Sequence, residues 1–364
     1  MTAWRILGAD EHQIALRSSL VDLLDRRDVR PMPAPTAAVT DHQLWEEICN
    51  GLGLGDLASA EPDGSFAPLG LMATCFEVLG QRLAPVPALS TLALAAPAVQ
   101  CCDGVEDAGG WWADLLSGRV TAAVAVPTEH LVGVRSTGRV TVSGTASHIV
   151  DGASADVLLV VADLPGHGTC LLEVDTTQPD RVQRRREATF DLTRELARIT
   201  LRDAPARVIG RTDAGPELRQ VLATRSIVLL AAEQLGGTAE CLGMAVDHAK
   251  ARYQFGRSLG SFQAVKHRLS DMYMVMELAR SAVAEASRVM DAGEPDAELW
   301  ATIAYRTASD SFTRVAAHAL QLHGGLGFAW EHPVHLFLKR AKSSAMLLSL
   351  PAERMHRITE LLGL

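Results

Sequence analysis

Apolar residues recur at helical spacing near the start of the chain. In "HQIALRSSLVDLLDRR" (12–27) and "HQLWEEICNGL" (42–52) they return every three or four positions, which predicts two helices with one buried face each. The proline-rich "RPMPAP" (30–35) between them reads as a link. "LGLMATCFEVLGQRLAPVP" (69–87) predicts another helix, ending at Gly80 or just beyond, because Pro85 and Pro87 bar its continuation. From about residue 118 the pattern changes. "VTAAVAV", "GRVTVSG", "DVLLVVAD", "TCLLEVD" and "RITL" are short β-branched runs divided by Gly, Asp and Pro. No helix-length periodic segment lies among them, so a small antiparallel sheet or barrel is expected rather than βαβ units. From about 213 the helical period returns in "PELRQVLATRSIVLLAAEQLGGTAECLGMAVDHAKARYQ", "GSFQAVKHRLSDMYMVMELARSAVAEASRVMDAG", "DAELWATIAYRTASDSFTRVAAHALQLHGG" and "PAERMHRITELLGL". Four helices with short connections predict a four-helix bundle. The expected domains are therefore 1–117 (α-helical), 118–212 (β) and 213–364 (helix bundle).

Composition narrows the function classes. Of 364 residues 48% are hydrophobic and 21% charged, as in folded soluble proteins. A formal net charge of -9 argues against nucleic acid, whose phosphates need a basic face. The longest apolar runs, "IVLLAA" (227–232) and "TLALAAPAV" (91–99), are sized for a core and not for a bilayer. "MTAWRILGADEHQ" lacks the basic-then-apolar layout of a signal peptide, and six cysteines without CxxC spacing suggest no disulfide framework. A reduced cytoplasmic protein is expected.

Several motifs carry less chemistry than they suggest. "GLGLGDL" (51–57) is glycine-rich but follows a helix instead of a strand, which makes it a turn and not a dinucleotide loop. "EHPVH" (331–335) sets His332 and His335 near Glu331 without zinc-helix spacing, so no metal site is expected. No Gly-x-Ser-x-Gly elbow or Cys–His nucleophile pair is present, and Cys101 and Cys102 read as small buried hydrophobes.

One stretch stands apart. "RYQFGRSLGSFQAVKHRL" (252–269) breaks a helical region with two cations, a Phe-Gly step and a Phe-Gln pair, then resumes it. On its own it is a solvated cationic turn or a dock for something anionic. Together with "QLHGGLGFAWEHPVHLFLKRAKS" (321–343) it resembles the acyl-CoA dehydrogenase family, in which R-x-x-F-G and F-Q precede Q-x-x-G-G-x-G-F. The resemblance extends through "LWEEICNGLGLGDL", "FEVLGQRLAPVP" and "GTASHIVDGASADVLLVVA", nearly the whole chain. It implies an N-terminal all-α domain, a central small antiparallel β-domain and a C-terminal four-helix bundle, the order that periodicity predicts.

The resemblance also implies FAD. Arg252 would reach the pyrophosphate, with Gln254, Phe255, Gly256, Leu259 and Phe262 around the same pocket. Gln321, Leu322, His323, Gly324 and Gly325 would lay backbone against the adenosine half. A guanidinium suits a diphosphate, and adjacent glycines allow close approach. In the family both elements act across a dimer interface, on the flavin of the neighbouring subunit.

The departures are as informative. The family removes an α-proton from an acyl thioester with a Glu while a β-hydride passes to flavin. The two positions that hold this Glu fall here on Ser226 and Leu348, and neither side chain can take a proton from carbon. Glu233 lies two turns along from Ser226, about 10 Å away, and reads as a helix-surface or interface residue; Glu353 reads as the first turn of the next helix. His148, Ile149 and Val150 stand where the family has aromatic-Ile-Thr, so the hydroxyl that faces flavin N5 is absent. Only Thr128 and Glu129 of the family's substrate loop remain in "PTEHLVGVRS". The half-site for the chain's own flavin and acyl-CoA is lost and the half-site for a neighbour's flavin is kept. Such a chain resembles the non-catalytic (beta) subunit of actinobacterial α2β2 heteromers that desaturate acyl-CoA, including polycyclic steroid CoA esters. It implies a homologous catalytic partner that supplies the Glu, binds most of the acyl-CoA and shares FAD at the interface. Two other readings are a divergent flavin-dependent oxidase or N-oxygenase on the same fold, and a flavin-free scaffold.

Overall fold

The computed structural model describes residues 11–31, 40–59, 66–125, 131–136, 139–348 and 350–364. The first helical run forms α1 (Glu11–Arg26), which buries Leu20, Leu23 and Leu24 on one face. The second run becomes α2 (His42–Glu46), capped by the Asp41 carboxylate on the Leu44 N–H at 2.9 Å, and passes into a π-helical turn over Glu47–Gly51. Met32 to Pro35 of the proline-rich link lie outside the described residues. The glycine-rich segment is a turn into α3 (Leu54–Ala58), with Gly53 at φ +71°. Next, α4 (Leu69–Arg82) ends at Leu83, which is left-handed and lies just before Pro85. A π-helical run over Leu89–Ala95 leads to α5 (Ala96–Cys101), α6 (Val105–Ala108) and α7 (Gly110–Leu116).

The five β-branched runs give five strands and the structure adds two, β2 and β6: β1 (Ala122–Ala125), β2 (Val132–Ser136), β3 (Arg139–Val150), β4 (Val157–Leu164), β5 (Gly168–Val174), β6 (Val182–Arg186) and β7 (Leu196–Ile209). Pairing runs β4–β2–β3–β7–β5 and returns from β5 to β4, so the sheet curls into a ring. Five pairings are antiparallel, whereas β4 meets β1 and β2 in parallel. The β2–β3 hairpin serves as the crossover that parallel neighbours need. A register shift between Ala146 and Ile149 places His148 at φ +59°. Ile149 then joins the core inside the ring, while Val150 joins the core shared with the helices.

In the last third, α8 (Gly215–Val221) passes through a π-helical turn, Leu222–Ser226, into α9 (Ile227–Ala251). The remaining helices are α10 (Gln263–Asp291), α11 (Ala297–His323), α12 (Val334–Ser344) and α13 (Pro351–Leu361). Helix α9 packs on α10, α11 and α12, and also on α4 from the N-terminal region. The crossing with α4 is backbone against backbone. A Cβ on Gly80 would lie 2.0 Å from the Glu233 carbonyl oxygen, and one on Gly236 1.9 Å from that of Glu77. Helix α12 is not among the helices that periodicity predicts. It buries Val334, Leu336, Phe337 and Ala341. In α13 the Glu353 carboxylate accepts the Leu350 N–H at 2.7 Å, the first-turn role its position suggests. Among the described residues no helix is long and apolar enough to cross a membrane, and all six cysteines are free thiols.

Candidate functional site

The segment after α9 is more than a turn. Arg252 ends the helix with its N–H on the His248 carbonyl at 2.9 Å, and a small hairpin follows, β8 (Tyr253–Gln254) and β9 (Arg257–Ser258). Phe255 (φ +54°) and Gly256 (φ +75°) form the two-residue loop that a tight hairpin demands. Left-handed backbone suits Gly256 and strains Phe255, whose side chain is 90% exposed. The Arg257 guanidinium stacks on the Phe262 ring at 4.0 Å, and Phe255 meets the same ring edge-on at 6.3 Å. Gln254 is exposed, and Leu259 and Phe262 are half-buried. Among the described residues Arg252 forms no ion pair.

The second motif lies beside the first. Gln321, Leu322 and His323 close α11, and Gly324 (φ +58°) opens a 3₁₀ turn over Gly324–Phe328. A Cβ on Gly256, Gly324 or Gly325 would meet nothing within 4 Å, so these stretches of backbone lie open. Gln321 is exposed, Leu322 half-buried and His323 buried. His323 packs against His248, ring centroids 4.3 Å apart, which joins the two motifs into one face. An unpaired guanidinium beside open glycine backbone fits an FAD pyrophosphate. His323 can offer that ligand only its backbone.

The two residues that the resemblance sets at the family's base positions lie elsewhere. Ser226 is fully buried and its hydroxyl donates to the Ala93 carbonyl at 2.5 Å. Leu348 sits on the surface at φ +61° between α12 and α13. His148 points outward near Glu187, and Thr128 and Glu129 lie outside the described residues.

Glu233 requires a correction. It is not a surface or interface residue but the centre of a buried ionic cluster where the three parts of the chain meet. Its Oε1 accepts from Arg340 Nη1 at 2.9 Å and from Arg194 Nη2. Arg340 also donates through Nε to Asp191 at 2.7 Å and through Nη2 to the Thr193 carbonyl at 2.6 Å, while Arg194 Nη1 donates to the Ser344 hydroxyl at 2.9 Å. The Asp191, Arg194 and Arg340 side chains are 1%, 5% and 5% exposed. The cluster borders a cavity of about 30 Å³, lined also by Val150 and Asp151 and large enough for one or two waters. Val150 is the residue that the family resemblance sets against flavin N5. Here it faces two arginines instead.

Charge in the cluster is matched. Burial alone would raise the Asp191 and Glu233 carboxyls, but Arg340 and Arg194 more than reverse this and hold both below their usual range. Glu233 is thereby a weak base. Asp151 behaves oppositely: burial pushes it up to about 6, against the Ser90 hydroxyl that donates to it at 2.6 Å. A raised carboxyl stabilises the fold below its unfolded value, and that contribution is lost as pH rises through about 6. Asp151→Asn keeps an acceptor for Ser90 and tolerates the left-handed backbone at φ +53°. The variant should match the parent near pH 3.5, below the unfolded carboxyl value, and gain up to about 3 kcal/mol near pH 8. Denaturant midpoints at the two pH values test this, and a loss at pH 8 would refute it.

Sequence reasoning missed Asp191, Arg194 and Arg340 because no local spacing ties them to Glu233. Among the described residues no group of His, Cys, Asp and Glu could hold a metal.

Comparison with known proteins agrees with the fold, and the matching family model spans the segments that hold both motifs. Residues 223–347 match the family model described as "Acyl-CoA dehydrogenase, C-terminal domain". The chain is 33% identical over 323 residues to acyl-CoA dehydrogenase IpdE2 of Mycobacterium tuberculosis, covering 87% of this chain and 86% of that one. The ChsE4-ChsE5 complex of Mycobacterium tuberculosis superposes with a TM-score of 0.84 at 26% identity, covering 98% of each chain. The Tcur3481-Tcur3483 steroid ACAD gives 0.84 at 27% identity, covering 97% of this chain and 98% of that one. With fold, motif pair and near-full-length relatives in agreement, the chain belongs to the acyl-CoA dehydrogenase family.

Proposed function

We propose that this chain is the non-catalytic, flavin-clamping subunit of a heteromeric, cytoplasmic acyl-CoA dehydrogenase, working beside a homologous catalytic subunit in an α2β2 assembly. The observation that carries the reading is the filled junction. Where the resemblance would seat flavin and thioester, Arg194, Glu233, Arg340 and Val150 leave about 30 Å³. A drug-sized ligand alone needs roughly ten times that space. Neither Ser226 nor Leu348 offers a carboxylate. The exposed Arg252 hairpin and the Gly324–Gly325 turn remain for a flavin held by the partner. Bound there, FAD supplies the acceptor for the β-hydride. This chain's part is to bind and orient it: Arg252 neutralises phosphate charge, and the glycine backbone lets the adenosine half approach. The partner's carboxylate takes the α-proton.

Two neighbours support a heteromer, since one is the ChsE4-ChsE5 complex and the other a Tcur3481-Tcur3483 steroid ACAD. A steroid side-chain CoA ester is the substrate this analogy favours.

The test is flavin content. The chain alone should be colourless, and co-expression with a homologous catalytic subunit should give a yellow complex with one flavin per heterodimer. Arg252→Ala in that complex should weaken FAD retention roughly tenfold to a hundredfold, the worth of a charge-assisted bond to phosphate. Unchanged retention would remove the clamp. A yellow chain that oxidises substrate unaided would make it an oxidase instead.

A further inference from the structure

The clamp face holds a second feature, a set of three imidazoles in contact. His323 is the hub, with ring centroids 4.3 Å from His248 and 4.4 Å from His332. Each ring sits at a structural root. The His248 carbonyl accepts the Arg252 N–H that opens the hairpin, and the hairpin closes with the Leu259 N–H on the Arg252 carbonyl at 2.8 Å. His323 immediately precedes Gly324. His332 Nδ1 faces the Val334 N–H at 3.3 Å, at the first turn of α12.

The hydrogen bonds assign protons. His323 Nδ1 lies 2.8 Å from the Ala319 carbonyl, so that nitrogen carries its hydrogen. His332 Nδ1 accepts from Val334, so that nitrogen is bare. Among the described residues no carboxylate pairs with any of the three. The charged or titratable groups that face them are Arg252 toward His248 and His335 toward His332.

We propose that His248 and His332 are positioning residues for the cofactor clamp, packing as neutral rings against His323 so that the Arg252 hairpin and the Gly324–Gly325 turn keep one fixed relation. The proposal rests on the reading that this face takes FAD. A proton on His332 Nδ1 would turn the acceptor into a donor aimed at the Val334 N–H, next to the positive end of α12. A proton on His248 would sit beside Arg252. Burial first, and then these neighbours, hold His248 and His332 below the usual imidazole value. The stabilisation is therefore present above about pH 6.5 and lost as pH falls through the lowered values.

The experiment uses the complex with its catalytic partner, carrying His248→Ala, His248→Phe or His332→Ala. It reads FAD release against pH by flavin fluorescence, and amide hydrogen exchange over residues 252–262 and 323–334. Each alanine variant should weaken retention roughly threefold to tenfold at neutral pH, the worth of one aromatic pair. Exchange should rise in both segments together. His248→Phe keeps a ring that cannot protonate, so it should restore neutral-pH retention and move the acid loss to lower pH. Parent-like exchange and pH profile in His248→Ala would overturn the proposal. If Arg252→Ala leaves flavin in place while His248→Ala still loosens both segments, the FAD reading falls and the imidazole coupling stands.

Discussion

Arg340→Leu should destabilise the chain by about 3–5 kcal/mol, the usual result of removing one partner from a buried ion cluster. Leucine replaces part of the aliphatic stem but none of the donors. Asp191, with 1% of its side chain exposed, keeps only the Thr193 N–H and hydroxyl, at 2.9 and 2.6 Å. Glu233 keeps only Arg194. Two buried carboxylates would then share one guanidinium, beside a cavity of about 30 Å³ that holds at most one or two waters. The acid dependence follows with a definite sign. Asp191 and Glu233 are held low in the folded protein, so their contribution is full above the unfolded carboxyl range and lost as pH falls through the folded values. Arg340→Leu should remove most of that slope along with the stability. Urea midpoints at pH 3 and pH 7, at constant transition slope, would show both effects. A change within about 0.5 kcal/mol would mean that the cluster does not hold the junction together.

Ser226→Glu should be nearly as damaging and should restore no activity. Ser226 is 0% exposed, and its hydroxyl occupies the Ala93 carbonyl. A glutamate there must find room for extra atoms in a packed helix junction and bury a carboxylate with no cation paired to it. Overpacking and an unpaired charge together should cost on the order of 4 kcal/mol. Leu348→Glu is the control. That site is 39% exposed on a surface turn, so its stability should stay within about 0.5 kcal/mol of the parent. Neither variant should dehydrogenate an acyl-CoA alone, because the junction lacks the volume. Turnover by purified Ser226→Glu without a partner would show that this chain's own cleft opens, and the subunit reading would fail.

Particular residues show how far local pattern reaches. In α10 the buried Met272, Met276, Ala279, Val283 and Ala286 follow the spacing that announces the helix. The β-branched runs announce the strands, and a sheet that stays antiparallel except at β4 comes close to the local expectation. Helix α12 is hidden because Pro333 and a run of cations shorten its apolar signal. The hairpin is hidden for another reason: each of its strands is two residues long, too short to show alternation. Phe255 at a positive φ is also a residue that turn preferences would not choose.

Glu233 marks the boundary between the two kinds of information. On one helix it is a carboxylate with a surface residue's composition, and the cations that neutralise it lie 39 and 107 residues away. The sequence by itself determined the order of helices, sheet and helices, the family resemblance and the two glycine-bearing motifs. Only the tertiary structure decided that Glu233 is locked between Arg194 and Arg340, that Val150 faces a nearly filled junction, and that His248, His323 and His332 touch. Periodicity and motif spacing are properties of neighbouring residues along the chain. Burial, charge pairing and ring packing depend on which distant segments the fold brings within a few ångströms.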